Sequence, residues 1–281
     1  MARTNIFEKL KANFDLIKEV NRIYDLVFKQ TTIKDFYDKY YIIERFVDAF
    51  CFQYWSNRGH CLNLDDFLND VGFEEIYQSA DKNVDAFIAF VEICANLYML
   101  ALRGLTKFHY DVTPNFGLLK DIIDDDLAHF NHKTYYDEEA EQLIVVENDP
   151  AVTAVVEIED DSGLASDIVR YNHHTLKGDL AKKKAVLLML GTQLEPQRKQ
   201  LKTIDSHLES DIFFLLNNMN LRHNNTPSCD SKSKPVIAAL PPEELESWYD
   251  ELYQMLLLAK LELDNIERNK KVNELKSKFS N

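Results

Sequence analysis

Apolar residues recur every three or four positions along most of the chain, a spacing that predicts a mainly α-helical protein. Phe7, Leu10, Phe14, Ile17 and Tyr24, with Val20 and Val27 beside them, predict a helix over residues 4–29. Thr32 is placed to cap a second, with Asp35 in its first turn, running to about Trp55 on Phe36, Tyr40, Ile43, Phe46, Phe50 and Tyr54. The polar run 56–60 breaks the pattern, and a short helix from Leu64 to Val71 stops at Gly72. Phe87, Phe90, Val91, Cys94, Leu97, Tyr98 and Ala101 then make a broad stripe on a long helix from Val84 to Leu105.

The middle of the chain changes period. Residues 116–130 are helical in pattern, but Thr134-Tyr135-Tyr136 and Leu143-Ile144-Val145-Val146 flank the polar stretch 137–142. Short β-branched and aromatic runs around a polar turn predict one β-hairpin. Asp149-Pro150 is a helix start, with Asp149 as cap and Pro150 at the first helical position. Helices follow to about Glu159 and from Leu164 to about His174.

Leu187, Leu194, Leu201, Leu208 and Leu215 stand seven apart. Gln197, Asp211 and Asn218 occupy the second seam and Pro196 interrupts it, which favours two core helices, 179–194 and 196–221, over a dimeric zipper. Pro241-Pro242-Glu243-Glu244 opens the last helix, with Leu245, Trp248, Tyr249, Leu252, Met255, Leu256 and Ala259 on its buried face; the Lys- and Asn-rich tail after Glu267 is expected to fray. The expected fold is mainly α, a helical bundle with one small β-hairpin. It divides into an N-terminal helical lobe (1–110), an acidic connector with the hairpin (111–163) and a C-terminal helical lobe (164–281).

Composition narrows the function classes. Glycine and proline number only seven each, too few for the tight turns of sandwiches and doubly wound sheets. No stretch reads as approaching the length of a membrane span, the first residues lack the apolar run of a signal peptide, and the four cysteines show no paired spacing. A cytoplasmic location, with no membrane contact and no cofactor, is the expectation. Net charge is −15, unevenly spread. Residues 120–167 hold fifteen acids against two lysines, an acidic stretch able to face solvent or a protein partner. Residues 170–202 hold eight cations against two acids.

No phosphate-binding glycine loop, nucleophile elbow or zinc motif is present. Four clusters remain, of which Asn57-Arg58-Gly59-His60 sets an arginine near a histidine but reads, with its glycine after a long aromatic helix, as a helix stop. Asp125, His129 and His132 share a helix face able to hold a divalent ion, but lack the partners of a di-metal bundle and read as an acidic solvent face, so no metal site is assigned. Arg170 and His174, four apart, adjoin the basic block of Lys177, Lys182, Lys183, Lys184, Arg198, Lys199 and Lys202, which could track a nucleic-acid backbone or simply solvate. The densest cluster is Asn217-Asn218-Met219-Asn220-Leu221-Arg222-His223-Asn224-Asn225. Arginine offers a planar fork for phosphate and histidine moves protons near neutrality; the same residues also suit a helix C-terminus.

A helical hairpin ending in an Arg/Asn/His cluster, in an acidic all-α protein, resembles the HEPN superfamily over residues 164–266. Members occur in toxin–antitoxin, abortive-infection and other phage-defence systems, and many are dimeric, metal-independent endoribonucleases. The resemblance implies Arg222 as phosphate clamp, His223 as general acid–base and Asn224 as an orienting amide. It also implies RNA as partner, a homodimer and cleavage by 2′-hydroxyl attack. The family places its histidine four to six residues after the arginine, whereas His223 follows Arg222 directly. That departure leaves RNA binding without cleavage as one alternative. A non-catalytic helical protein-interaction module, recruiting a partner through acidic 120–167, is the other.

Overall fold

A computed structural model describes residues 14–34, 38–108, 111–113, 115–219, 221–222 and 240–279. The chain is mainly α-helical and forms two compact units, Met1–Asn148 and Asp149–Asn281.

In the first unit, α1 (Leu16–Asp25) is capped by Asp15, whose carboxylate accepts the Lys18 N–H, and continues as a π turn over Leu26–Gln30. The helix expected to start at Thr32 does not. Strand β1 (Thr32–Lys34) pairs antiparallel with β2 (Tyr40–Ile42), Ile33 facing Tyr41, and with β3 (Asp111–Val112). Ile33 is fully buried, and the β-branched pair Thr32-Ile33 suits the strand. Asp38 adopts the left-handed φ of 61° that turns the chain back. Helix α2 (Ile43–Phe46) follows and widens into a π turn over Val47–Cys51. Asp35 and Phe36 of the expected helix, like residues 4–13 of the first, lie outside the described residues.

Helices α3 (Leu64–Asp70) and α4 (Phe73–Ala80) are separated by Gly72 in the left-handed region, φ 67°. Gly72 ends the first helix as its sequence predicts, and the second, which the pattern of apolar positions does not mark, starts immediately after it. Helix α5 (Val84–Phe108) is the axis of the unit. By length and composition its 23 residues Val84–Thr106 would suffice to cross a bilayer, which corrects the expectation that no stretch approaches that length. Here Phe87, Phe90, Val91, Cys94 and Leu97 sit in the core with Phe46, Phe52 and Leu64. Cys51, Cys61 and Cys94 are buried thiols, none in a disulfide.

Helix α6 (Asn115–Ala128) leads to the predicted hairpin, β4 (His132–Asp137) and β5 (Gln142–Glu147), with Thr134 facing Val145. Two side chains of α5 complete the outer edge of β5. The Asn96 amide donates to Leu143 O at 2.7 Å and its oxygen accepts the Leu143 N–H at 2.9 Å, while a Glu92 oxygen accepts Val145 N–H at 2.6 Å. Backbone groups that would otherwise be buried unpaired are thereby satisfied.

In the second unit, α7 (Pro150–Ile158) begins as read, Asp149 accepting the Ala151 N–H at 2.8 Å. Helix α8 (Ser162–Tyr171) is capped by Asp161. Helix α9 (Leu180–Leu194) runs into a 3₁₀ turn at Glu195–Gln197, where Pro196 sits. The single helix expected over 196–221 is two: α10 (Arg198–Ile204) and α11 (Ser206–Asn218). Asp205, extended at φ −136° and ψ 100°, ends one and caps the next through His207 N–H and Leu208 N–H, both at 2.9 Å. All five heptad-spaced leucines are buried, but across three helices of one chain. Helix α12 (Pro242–Phe279) covers them and runs as helix through the tail expected to fray. Tyr253 stacks on Tyr171 with ring centres 3.9 Å apart and donates to Ile168 O at 2.7 Å. Trp248, expected on the buried face, is 43% exposed.

One buried acid makes the first unit sensitive to pH. Asp126 on α6 lies in the core, with Arg22 of α1 3.6 Å from its Oδ1 and no hydrogen bond to its Oδ2 among the described residues. Burial, with Glu19 nearby and Arg22 opposing, pushes its carboxyl from 3.8 up to about 7. The folded protein therefore holds a proton that the unfolded chain has lost over that window, and stability falls as pH rises through it. Thermal unfolding followed from pH 5 to pH 8 is expected to show a midpoint that declines, and Asp126→Asn to flatten the decline. A midpoint that rises across this range would contradict the assignment.

Candidate functional site: a groove on α10 and α11

The basic block does not present a continuous cationic face. Lys183 is buried, with Nζ 2.7 Å from Asp250 Oδ1 and 2.8 Å from Glu246 Oε1 on α12, and 5.3 Å from the Tyr171 ring centre. Burial opposes ionisation of Glu246, but the Gly178 N–H and Lys183 together hold its carboxyl below the usual range. Burial and the adjacent Asp250, which accepts its hydroxyl at 2.9 Å, push the Tyr171 phenol far up, so it stays a neutral donor. Lys182 pairs with Asp179 at 3.1 Å and Arg170 with Asp167 at 3.2 Å. Helix α8 ends at Tyr171, so Arg170 and His174 do not share a helical face; His174 opens a 3₁₀ turn and packs on His173, ring centres 4.5 Å apart. Lys177 is exposed and Lys184 half-buried.

Arg222 turns inward. Its Nη1 lies 2.6 Å from Glu195 Oε2, its Nη2 donates to Gly191 O at 3.1 Å, and its guanidinium sits 5.2 Å from the Phe213 ring centre. Arg198 lies on the same ring at 4.0 Å, its Nε 2.5 Å from Oε1 of buried Glu209. Two arginines thus share one aromatic ring, and Glu195, 4.0 Å from Arg198 Nη1, lies within reach of both. His223, Asn224 and Asn225 lie outside the described residues, as does Asn220.

What the sequence clusters do bring together is a groove of about 560 Å³ on α10 and α11. Arg198 and Lys202 lie one turn apart on α10. Ser206, His207, Ser210, Phe214, Asn217 and Asn218 follow at the three-and-four spacing of one α11 face. Lys202 and His207 are exposed, and Phe214 is 52% exposed, unusual for a phenylalanine on a helix whose opposite face is core. Asn218 donates to Phe214 O at 2.7 Å, tying one amide to the turn that carries the ring. Lys199 is exposed on the same helix. Periodicity reasoning missed Phe214 and His207. The available signal was a phenylalanine directly after buried Phe213, which must point elsewhere.

The other clusters of the first unit are occupied. His129 packs on the Phe14 ring at 4.3 Å, the His132 Nδ1 is 2.6 Å from Phe130 O, and Asp124 binds Lys120 and Thr134. Asp125 is exposed. Arg58 donates to Cys61 O at 2.6 Å, closing the helix stop at Gly59.

Lys183 is a scaffold cation, so its loss should act on stability. Lys183→Ala strands two carboxylates beside a buried phenol and is expected to cost about 2–4 kcal/mol, measured by urea unfolding. A loss within ±0.5 kcal/mol, the range of ordinary surface changes, would mean that the contact carries no weight. No protein-family model, curated protein or solved structure matches the chain, so the groove is read from its own side chains.

Proposed function

We propose that the protein binds single-stranded RNA along the α10–α11 groove. The observation that carries this reading is the exposed Phe214 ring set among Lys202, His207, Asn217 and Asn218. Single strands are held by aromatic platforms on which a base stacks, by cations that follow the phosphates and by polar groups at base edges. The groove supplies one of each kind, on helices fixed by the Glu209–Arg198 pair. The HEPN-like expectation of a nuclease asks more. Arg222 is engaged by Glu195 and Gly191, which supports binding ahead of cleavage.

A second reading has its own observation. A cleft of about 630 Å³ between α7, α9 and α12 has Leu190, Leu194, Leu256 and Leu263 in its lining, with Glu159, Asp160, Asp264 and Glu267 among the polar groups. Glu159 is paired with Lys260, which also reaches Gln193 at 3.1 Å. An apolar lining with surplus carboxylates suits a basic amphipathic helix of a protein partner. Glu159 and Asp160 belong to the acidic stretch expected to recruit one.

Fluorescence anisotropy with a labelled oligouridylate of about 12 nucleotides separates the two readings. Micromolar binding at low salt that weakens with ionic strength is expected, with Phe214→Ala reducing affinity roughly 5- to 100-fold, the worth of one stacked base. Lys202→Ala should lower the salt slope by about 0.7. Failure of the intact protein to bind oligouridylate, with binding of a Lys/Leu-rich helical peptide that Asp160→Lys weakens, would replace this reading by the second. Incubation with total RNA, comparing intact protein with His223→Ala, tests cleavage separately: His223-dependent products would restore the nuclease.

A further inference from the structure

Helix α12 outruns the unit it covers. Leu263 is its last buried residue, yet the helix continues to Phe279, about 24 Å at 1.5 Å per residue. A free helical extension is expected to be polar all round. This one carries Val272 at 46%, Leu275 at 55% and Phe279 at 81% exposure, spaced by three and four. Carried back by the same heptad, the line meets half-exposed Leu258 and partly exposed Leu261, with Asn265 and Arg268 between. At 100° per residue this stripe lies away from Leu256, Lys260 and Leu263, which face the interior and the cleft.

The charges along the same segment are segregated. Glu262, Asp264 and Glu267 occupy its first part, and Lys270, Lys271, Lys276 and Lys278 dominate the rest. An isolated helix gains only from ion pairs one turn apart, such as Asp264–Arg268 and Lys270–Glu267 here, and has no use for separated blocks. Two such helices side by side and head to tail do: the acid block of each lies on the basic block of the other.

We infer that α12 is a self-association element, pairing antiparallel with α12 of a second copy of this chain along the Leu258–Phe279 stripe. Centred near Lys270, the pairing lays Phe279 on the second copy's Leu261 and Val272 on the stem of its Arg268. It brings Asp264 opposite Lys278 and Glu262 opposite Lys276, against one approach of Lys271 to its own counterpart. Parallel pairing is disfavoured because it sets Lys271 against Lys276 twice and offsets the acid block from the basic one. Asn265, a polar residue at a seam position, fixes the register at some loss of stability, as such residues do in coiled coils. Three heptads with a partly polar seam bury a small area, so the dimer is a micromolar one. This inference stands independently of the RNA groove; Asp264 also lines the cleft, whereas Val272 and Leu275, which carry the main test, do not.

Sedimentation velocity of the full chain, from about 1 to 200 μM to bracket micromolar affinity, is expected to show a reversible monomer–dimer equilibrium. Val272→Asp with Leu275→Asp should abolish it while circular dichroism and the thermal midpoint stay unchanged, since neither side chain touches the core. Asp264→Lys should weaken dimerisation at least fivefold, and Asp264→Lys with Lys278→Asp should recover it. Lys276→Glu decides orientation. In the antiparallel pair it faces Glu262 and weakens the dimer; in a parallel pair it would face Lys271 and tighten it. A chain monomeric throughout this range, a dimer indifferent to the Val272/Leu275 change, or a dimer tightened by Lys276→Glu would each overturn the inference.

Discussion

A buried carboxylate on α11 fixes the geometry on which the second unit's groove depends. Glu209 is nearly inaccessible to water and would be costly there alone. It is matched by the Arg198 Nε at 2.5 Å, and Arg198 in turn lies on the face of Phe213. One residue of α10 is thereby tied to two of α11 across the break at Asp205. The ring of Phe213 accepts Arg222 as well, so the chain end that leaves α11 is drawn back onto the helix it has just left. Because Phe213 points inward to serve both cations, the next residue, Phe214, must point out. The exposed ring in the groove is thus a consequence of the buried one.

The same economy explains why a chain with a conspicuous basic block remains acidic in its contacts. Lys183 serves two carboxylates of α12, Arg198 serves Glu209 on α11 and, at 4.0 Å, Glu195 on the turn after α9, and Arg222 serves Glu195 as well. These cations join separate elements, consecutive ones for Arg198 and distant ones for Lys183, where ion pairs with aromatic support are worth more than exposed i,i+4 pairs. What remains to attract a polyanion is local, chiefly Lys199 and Lys202, within a molecule whose overall field repels one. Any RNA contact is therefore short, salt-sensitive and reliant on stacking.

Much of the fold was legible because it is written in local terms. The hairpin, the Asp149-Pro150 start and the core leucines follow from period and capping, which neighbouring residues decide. The failures share the opposite cause. Over Thr32 to Ile42 the helical spacing of Tyr40 and Ile43 is a coincidence, and pairing makes 32–34 a strand, with 40–42 on one side and with 111–112, nearly eighty positions on, on the other. The break at Asp205 was hidden by leucines that keep a seven-residue spacing across it. Residues of the candidate site were legible as types, but not their occupation. That Arg222 meets Glu195 and the Gly191 carbonyl depends on a helix crossing, which no spacing records.

That crossing also sets the terms on which Arg222 could act on a phosphate. Helices α9 and α11 approach so closely at Gly191 that an added Cβ would come within 2.9 Å of both Leu216 methyl groups. The bare backbone leaves the Gly191 carbonyl open to the guanidinium, and buried Leu216 and Phe213 wall the arginine on its inner side. To hold a scissile phosphate, the fork would have to leave a carboxylate, a carbonyl and an aromatic face together. Each hydrogen bond to a charged group contributes roughly 1.5–3 kcal/mol, so release is uphill unless the ligand replaces every contact at once. A phosphate approaching half-exposed Glu195 also meets a like charge. Cleavage through Arg222 accordingly requires the turn after α11 to rearrange, whereas stacking on Phe214 requires nothing to move.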